Sequence, residues 1–266
     1  MNVINKYVPF VGNDYKTPDD RKESFLNKLF LRTRLAFYIK NFYVYYITGT
    51  AGKRGELDWQ NQAAYSFQNM MVAEDCGAKF NITGLDNIDK VEGPVLFVGN
   101  HMSLLETAVM SAFLTPRKPT IFVVKQSLFD IPIFGNIMRG MGNIPLERKN
   151  PRVDLKVVMQ EGTRKLSEGT SIIIFPQSTR DANFDPTKFG SIAIKLAKKA
   201  GVPIIPFALK TDFLENGKLI KDMGPIHPEK KVFFEFGEPM NIEGNGKAQH
   251  QEIIEFIQDR LKKWSN

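Results

Sequence analysis

Pro94-Val95-Leu96-Phe97-Val98-Gly99 runs directly into Asn100-His101-Met102-Ser103-Leu104-Leu105-Glu106. The four apolar residues between Pro94 and Gly99 are short, partly β-branched and bounded by breakers, which reads as a strand buried on both faces. Beyond His101, Leu104, Leu105, Ala108, Val109 and Phe113 recur at helical spacing, so the next element is an amphipathic helix over 103–114. A buried strand feeding such a helix is the opening of a βα unit.

The same alternation continues along the chain. Strands are expected at 95–98, 121–124, 143–146, 171–175, 204–208 and 232–236, with helices at 153–167, 191–200 and 248–264 between or after them. Gly93-Pro94, Gly169, Gly201-Val202-Pro203 and Gly237-Glu238-Pro239 punctuate the turns, and Gly244–Gly246 reads as a loop. Strands separated by helices of this length predict an α/β fold, a three-layer sandwich around a mostly parallel sheet. Helices expected at 22–48 and 56–75 form an N-terminal helical appendage, dividing the chain into 1–80 and 81–266.

Composition narrows the function classes. The chain has 266 residues, of which 42% are hydrophobic and 24% charged, which excludes disorder and fibrous repeats. One cysteine, Cys76, and three histidines exclude a disulfide framework and leave little for a metal centre; the single thiol fits a reducing compartment. The net charge is +7, yet residues 1–55 alone hold ten Lys and Arg against four Asp and Glu. A basic end on a nearly neutral body indicates an anionic surface partner.

That partner is expected to be a membrane. In residues 24–40, Phe25, Leu26, Leu29, Phe30, Ala36 and Phe37 fall on one helical arc roughly 140° wide. Lys28, Arg32 and Arg34 lie elsewhere, Lys40 falls back inside the arc, Leu31, Leu35 and Ile39 make the other side apolar as well, and Phe42-Tyr43-Val44-Tyr45-Tyr46 follows. Bases and aromatics beside a wide apolar face suit an interfacial helix. No stretch reaches the roughly 20 apolar residues of a spanning helix, and the first dozen residues lack a secretory signal's apolar core. The expected placement is peripheral or monotopic, on the cytoplasmic side of a membrane. Leu and Phe among the bases argue against nucleic acid, and no dinucleotide or P-loop glycine pattern occurs; Gly49-Thr-Ala-Gly52-Lys53 lacks the earlier glycine and the hydroxyl.

Active sites of open α/β sheets gather where strands end. His101 stands at such an edge and Glu106 in the first turns of the next helix, so the imidazole is placed to take a proton from a hydroxyl and the carboxylate to orient it. His250 and Glu255 share the spacing, but no strand precedes them, and they read as a solvated helix face.

Asn100-His101-x-Ser103-x-x-Glu106 resembles the first motif of the glycerolipid acyltransferases, of the 1-acylglycerol-3-phosphate type. Further blocks match in order: Lys125-Gln-Ser-Leu128 with Pro132-Ile-Phe134-Gly135, Gly142-Asn-Ile-Pro-Leu-Glu-Arg148, Phe175-Pro176-Gln177-Ser178-Thr179-Arg180, Lys188-Phe-Gly190 and Val202-Pro203-Ile-Ile-Pro206. The resemblance covers about residues 80–210. Two positions depart from it: Glu106 stands where the family usually has Asp, and Gln177-Ser178 where it has Glu-Gly.

The resemblance implies acyl transfer from a thioester, acyl-CoA or acyl-carrier protein, to the hydroxyl of a lysophospholipid, 1-acylglycerol 3-phosphate giving phosphatidic acid. His101 is then the general base, Glu106 its partner, and Lys125 a candidate donor to the oxyanion. Arg148, Gln177, Ser178, Thr179, Arg180 and Lys188 are candidates for binding the acceptor. Guanidinium forks suit its phosphate, whereas the change at Gln177 leaves another lipid acceptor, or a non-catalytic lipid-binding relative, open. No cofactor and no metal are implied. Ser103 reads as a helix-start residue, and no G-x-S-x-G elbow occurs.

Overall fold

The computed structural model describes residues 14–30, 33–177 and 179–265. In chain order its elements are β1 (Tyr15–Lys16), α1 (Phe25–Leu29), α2 (Arg34–Arg54), α3 (Trp59–Asp75), β2 (Phe80–Thr83), α4 (Asp86–Asp89), β3 (Leu96–Gly99) and α5 (Leu105–Leu114). There follow β4 (Thr120–Lys125), α6 (Phe134–Gly140), β5 (Ile144–Leu146), α7 (Pro151–Ser167), β6 (Ser171–Ile174), α8 (Ile192–Ala200), β7 (Ile204–Lys210), β8 (Val232–Phe236) and α9 (Lys247–Lys263).

The strands form one sheet in the order β1-β2-β8-β7-β3-β6-β4-β5. β1 with β2 and β7 with β8 pair antiparallel, and the other neighbours pair parallel. β3 lies inside the sheet between β6 and β7, all four of its residues buried, as its unbroken apolar run requires. Alternate side chains then serve opposite layers. Phe97, Phe207, Phe234 and Phe236 pack under α2, α3 and α5, while Leu96, Val98, Ile174 and Ile204 meet α7, α8 and α9. This is the expected three-layer α/β sandwich.

The boundary expected at 80/81 falls inside β2, and the residues before it are built into the same core. Gln62 of α3 donates to Ser111 Oγ and to Thr120 O, and Ser66 donates to Ala108 O, tying α3 along α5. Among the described residues no helix is long and apolar enough to cross a membrane.

One expected helix is corrected. Residues 22–48 are not continuous: α1 ends at the cap residue Phe30, and Thr33, in extended conformation (ψ 161°), starts α2. Thr33 starts α2 by its extended backbone, with no side-chain capping bond among the described residues, and the break removes the common axis that placed Phe25 and Phe37 on one arc. Ala36 and Phe37 are buried in the core instead, while Leu35, Ile39, Phe42, Tyr43 and Tyr46 are the exposed apolar residues of α2. Leu31 and Arg32 lie outside the described residues.

Gly49 and Gly52, weighed above as part of a phosphate loop, have a packing role. A Cβ on Gly49 would stand 2.8 Å from Ile133 O and one on Gly52 2.4 Å from Asn136 O, so these glycines let α6 lie directly on α2.

Candidate active site

β3 delivers His101 to the sheet edge by a side-chain continuation of its ladder. Gly99 is the last residue paired with β7. Asn100 then extends the pairing with its amide, Nδ2 donating to Leu209 O (2.8 Å) and Oδ1 accepting from Leu209 N (2.9 Å). His101 N donates to Gln177 Oε1 (2.8 Å), and His101 O accepts from Asp181 N (2.9 Å). The segment after β6 thus holds the histidine backbone on both sides, and β7 holds the residue before it, before the imidazole acts.

The imidazole stacks on Phe175, with centroids 4.2 Å apart and planes 16° apart. Its Nδ1 stands 2.9 Å from Glu106 Oε1, and the side chain keeps 15% exposure. Glu106 is fully buried and receives four further bonds. Oε1 accepts from Met102 N (2.6 Å) and Ser103 N (2.7 Å); Oε2 accepts from Ser103 Oγ (2.8 Å) and Thr211 Oγ1 (2.6 Å). Burying a carboxylate costs several kcal/mol, whereas each hydrogen bond to a charged group contributes about 1.5–3 kcal/mol. The bonds win: burial pushes the Glu106 pKa up, but His101, Thr211 and local backbone amide bonding together hold it below the usual value. Its place in the first turn of α5 adds the favourable end of the helix dipole. An ionised carboxylate only accepts, so Nδ1 carries a proton and a neutral ring presents Nε2 as a lone pair.

The remaining candidates separate in space. Arg180, after β6, is largely buried and ion-paired with Asp222, while its Nη1 is buried with no hydrogen-bond partner among the described residues. Thr179 Oγ1 accepts from Lys221 Nζ. Burial, then the charge of Arg180, lowers the Lys221 pKa against the opposing charges of Asp222 and Asp181, with Arg148 a smaller contributor in the same direction as Arg180; Arg148, Arg180 and Lys221 thus lie within electrostatic reach of one another beside two carboxylates. Burial likewise draws the Arg148 pKa down against Asp154, and its backbone sits at φ 57°, a strained position for a non-glycine residue. Gln177 is turned to the His101 backbone. Lys125 ends β4, separated from β3 by β6, and is exposed. Lys188 is exposed and pairs with Asp185 at 3.2 Å. Neither lysine touches the dyad among the described residues, and Ser178 lies outside them.

Thr211, Lys221 and Asp222 went unread in the sequence. Thr211 follows a strand adjacent to β3, a position that strand order would have flagged; nothing local marks the other two. Ser103 is buried and bonded to Glu106, and Cys76 is buried with its thiol pushed up to about 12 by burial, so neither is presented as a nucleophile. His250 hydrogen-bonds Phe189 O at 3.1 Å and Glu255 accepts from Gln251. Glu255 is exposed, as the solvated helix face requires, while His250 is half-buried and turned to Phe189. Among the described residues no group of three or more His, Cys, Asp or Glu is placed to hold a metal.

Residues 79–210 match the family model described as Acyltransferase. The 1-acyl-sn-glycerol-3-phosphate acyltransferase of Haemophilus influenzae is 30% identical over 169 residues, 63% of this chain and 67% of that one. The chain belongs to the glycerolipid acyltransferase family. The chloroplastic 1-acyl-sn-glycerol-3-phosphate acyltransferase of Arabidopsis thaliana is 34% identical over 49% of this chain and 36% of its own. The Pseudomonas aeruginosa 1-acyl-sn-glycerol-3-phosphate acyltransferase is 32% identical over 50% of this chain and 49% of its own. The chain thus spans half or less of these two relatives. The crystal structure of the 1-acyl-sn-glycerophosphate acyltransferase from Thermotoga maritima shares the acyltransferase fold with a TM-score of 0.67, at 20% identity, over 90% of this chain and 96% of that one.

Proposed function

We propose that this acyltransferase moves a fatty acyl group from a thioester, acyl-CoA or acyl-carrier protein, to the hydroxyl of 1-acylglycerol 3-phosphate, giving phosphatidic acid. The observation that carries the reading is the His101–Glu106 pair at the edge of β3, with Nε2 left to accept a proton. The acceptor hydroxyl gives its proton to Nε2 as its oxygen attacks the thioester carbon. Glu106 stabilises the resulting imidazolium. The tetrahedral intermediate collapses by breaking the C–S bond, and the departing thiolate takes the proton from His101. No acyl-enzyme forms.

Arg148, Arg180 and Lys221 suit the acceptor phosphate, and the buried Arg180 Nη1 has no hydrogen-bond partner among the described residues. Gln177 bonds the His101 backbone through an oxygen that a glutamate would supply equally, so its departure from the family pattern bears on positioning and leaves a phosphorylated acceptor the better reading. The exposed stripe of α2 supports peripheral contact with an anionic leaflet, on the cytoplasmic side where thioester donors and a single reduced thiol fit. The test offers the purified protein 1-acylglycerol 3-phosphate or a lysolipid without phosphate, with each donor. Turnover of the phosphorylated acceptor, with KM raised tenfold or more by Arg180→Ala, is expected; equal use of the acceptor without phosphate contradicts the acceptor assignment.

A further inference from the structure

The connection from β7 to β8 crosses the candidate active site and ends in an exposed apolar tip. Its inner side is pinned to the catalytic segments: Asn216 Nδ2 donates to Met102 O (2.9 Å), Lys221 bonds Thr179, and Asp222 pairs with Arg180. Its outer side is pinned to α2, Arg34 Nη1 donating to Met223 O (2.9 Å) and the Tyr38 hydroxyl to Gly224 O (2.8 Å). Between these anchors the backbone closes a small hairpin, Glu215 N to Pro225 O and Gly217 N to Lys221 O, each 3.0 Å. Gly224 is needed there, because a Cβ would stand 1.8 Å from Glu215 O. At the tip Leu219 is 100% exposed and Ile220 60%, next to the exposed Lys218.

We propose that Leu219 and Ile220 form a wedge that inserts into an anionic lipid leaflet beside the α2 stripe, making this hairpin the wall between the bilayer and His101. The proposal rests on the lipid-acceptor reading above and deepens it. Two observations select lipid as the occupant. The hairpin is continuous with α2, whose Leu35, Ile39, Phe42, Tyr43 and Tyr46 are also exposed. Its charge is complementary to an anionic surface: Asp222 is matched by Arg180 and Glu215 faces His227, while Lys218 lies exposed beside the tip and Arg34 at the hairpin's base. A second copy of the chain fits less well, since a stable protein interface needs about 800 Å² per partner and two side chains supply a fraction of that. Membrane insertion has no such threshold, because each buried apolar side chain adds to it independently.

The full chain is floated with phosphatidylcholine vesicles, with and without phosphatidylglycerol. Leu219→Glu/Ile220→Glu is expected to weaken binding to the anionic vesicles tenfold or more, while turnover of an acceptor dispersed as monomers stays at the wild-type rate. Leu219→Trp, which needs no charge, is expected to show an emission blue shift on vesicle addition beyond that of wild type. Unchanged flotation of the double variant, or no added shift from the tryptophan, overturns the wedge. So does a tip-dependent dimer in solution accompanied by undiminished vesicle binding. Failure of the wild type to float contradicts the membrane reading itself, and failure of monomer turnover in the wild type contradicts the acyltransferase reading; each is distinct from failure of the wedge.

Discussion

At the residue scale the site turns on one carboxylate. Glu106 carries an extra methylene relative to the aspartate usual in the family, and the structure accommodates it with donors on both oxygens, Thr211 and Ser103 taking Oε2 while His101 and the backbone take Oε1. Because the folded pKa is lowered, the carboxylate contributes stability that is complete above about pH 5 and lost as pH falls through the folded value. Glu106→Gln keeps the shape, removes the charge and turns an N–H toward donors. It is expected to cost about 1–3 kcal/mol at pH 7, and urea unfolding should show the gap from wild type narrowing as pH drops below about 4; a constant gap contradicts an ionised Glu106. The pairing of His101 with Glu106 was legible because both lie within one strand-to-helix turn. Thr211 and Lys221 were not, since the sheet brings Thr211 to Glu106 across 105 positions and a loop brings Lys221 to Thr179 across 42.

At the scale of elements, the six strands from β3 onward were readable because buried strands leave continuous apolar runs between glycine and proline. β1 and β2 were not: Phe80-Asn-Ile-Thr alternates buried and half-buried positions where a continuous apolar run would mark a strand, and the pairing that makes the two-residue Tyr15–Lys16 a strand is with residues 81 and 82. The break between α1 and α2 was missed because helical periodicity persists across Thr33, and only the cap shows the turn. Gly99 illustrates a constraint invisible in one sequence. A Cβ there would stand 2.3 Å from Phe207 O and 2.4 Å from its ring, at the residue before the Asn100 clamp. Gly99→Ala is expected to destabilise by about 1–3 kcal/mol, lowering Tm by several degrees and displacing His101, so kcat falls as well. Calorimetry with kcat checks this; unchanged values of both contradict the close approach.

At the scale of the whole molecule, the amino-terminal region reads from its composition as an interfacial helix, and the structure divides the face on which that reading rests. Of the apolar face read from residues 24–40, Phe25, Leu26 and Leu29 are exposed while the core buries Ala36 and Phe37, and on α2 the outward stripe is the opposite one, with Phe42 half exposed. Substituting that stripe, Ile39→Glu with Phe42→Glu, is expected to reduce sedimentation with anionic vesicles at least tenfold while the variant stays folded, because about half of each residue is already exposed; unchanged sedimentation contradicts membrane contact through α2. The central claim, that His101 acts as base on the acceptor hydroxyl, is tested most directly by following thiol release from acyl-CoA in the presence of 1-acylglycerol 3-phosphate, with wild type and His101→Ala. Wild-type release that depends on acceptor, and a loss of about a hundredfold to ten-thousandfold in the variant while it still unfolds cooperatively, is the predicted result; equal rates in the two proteins would contradict it.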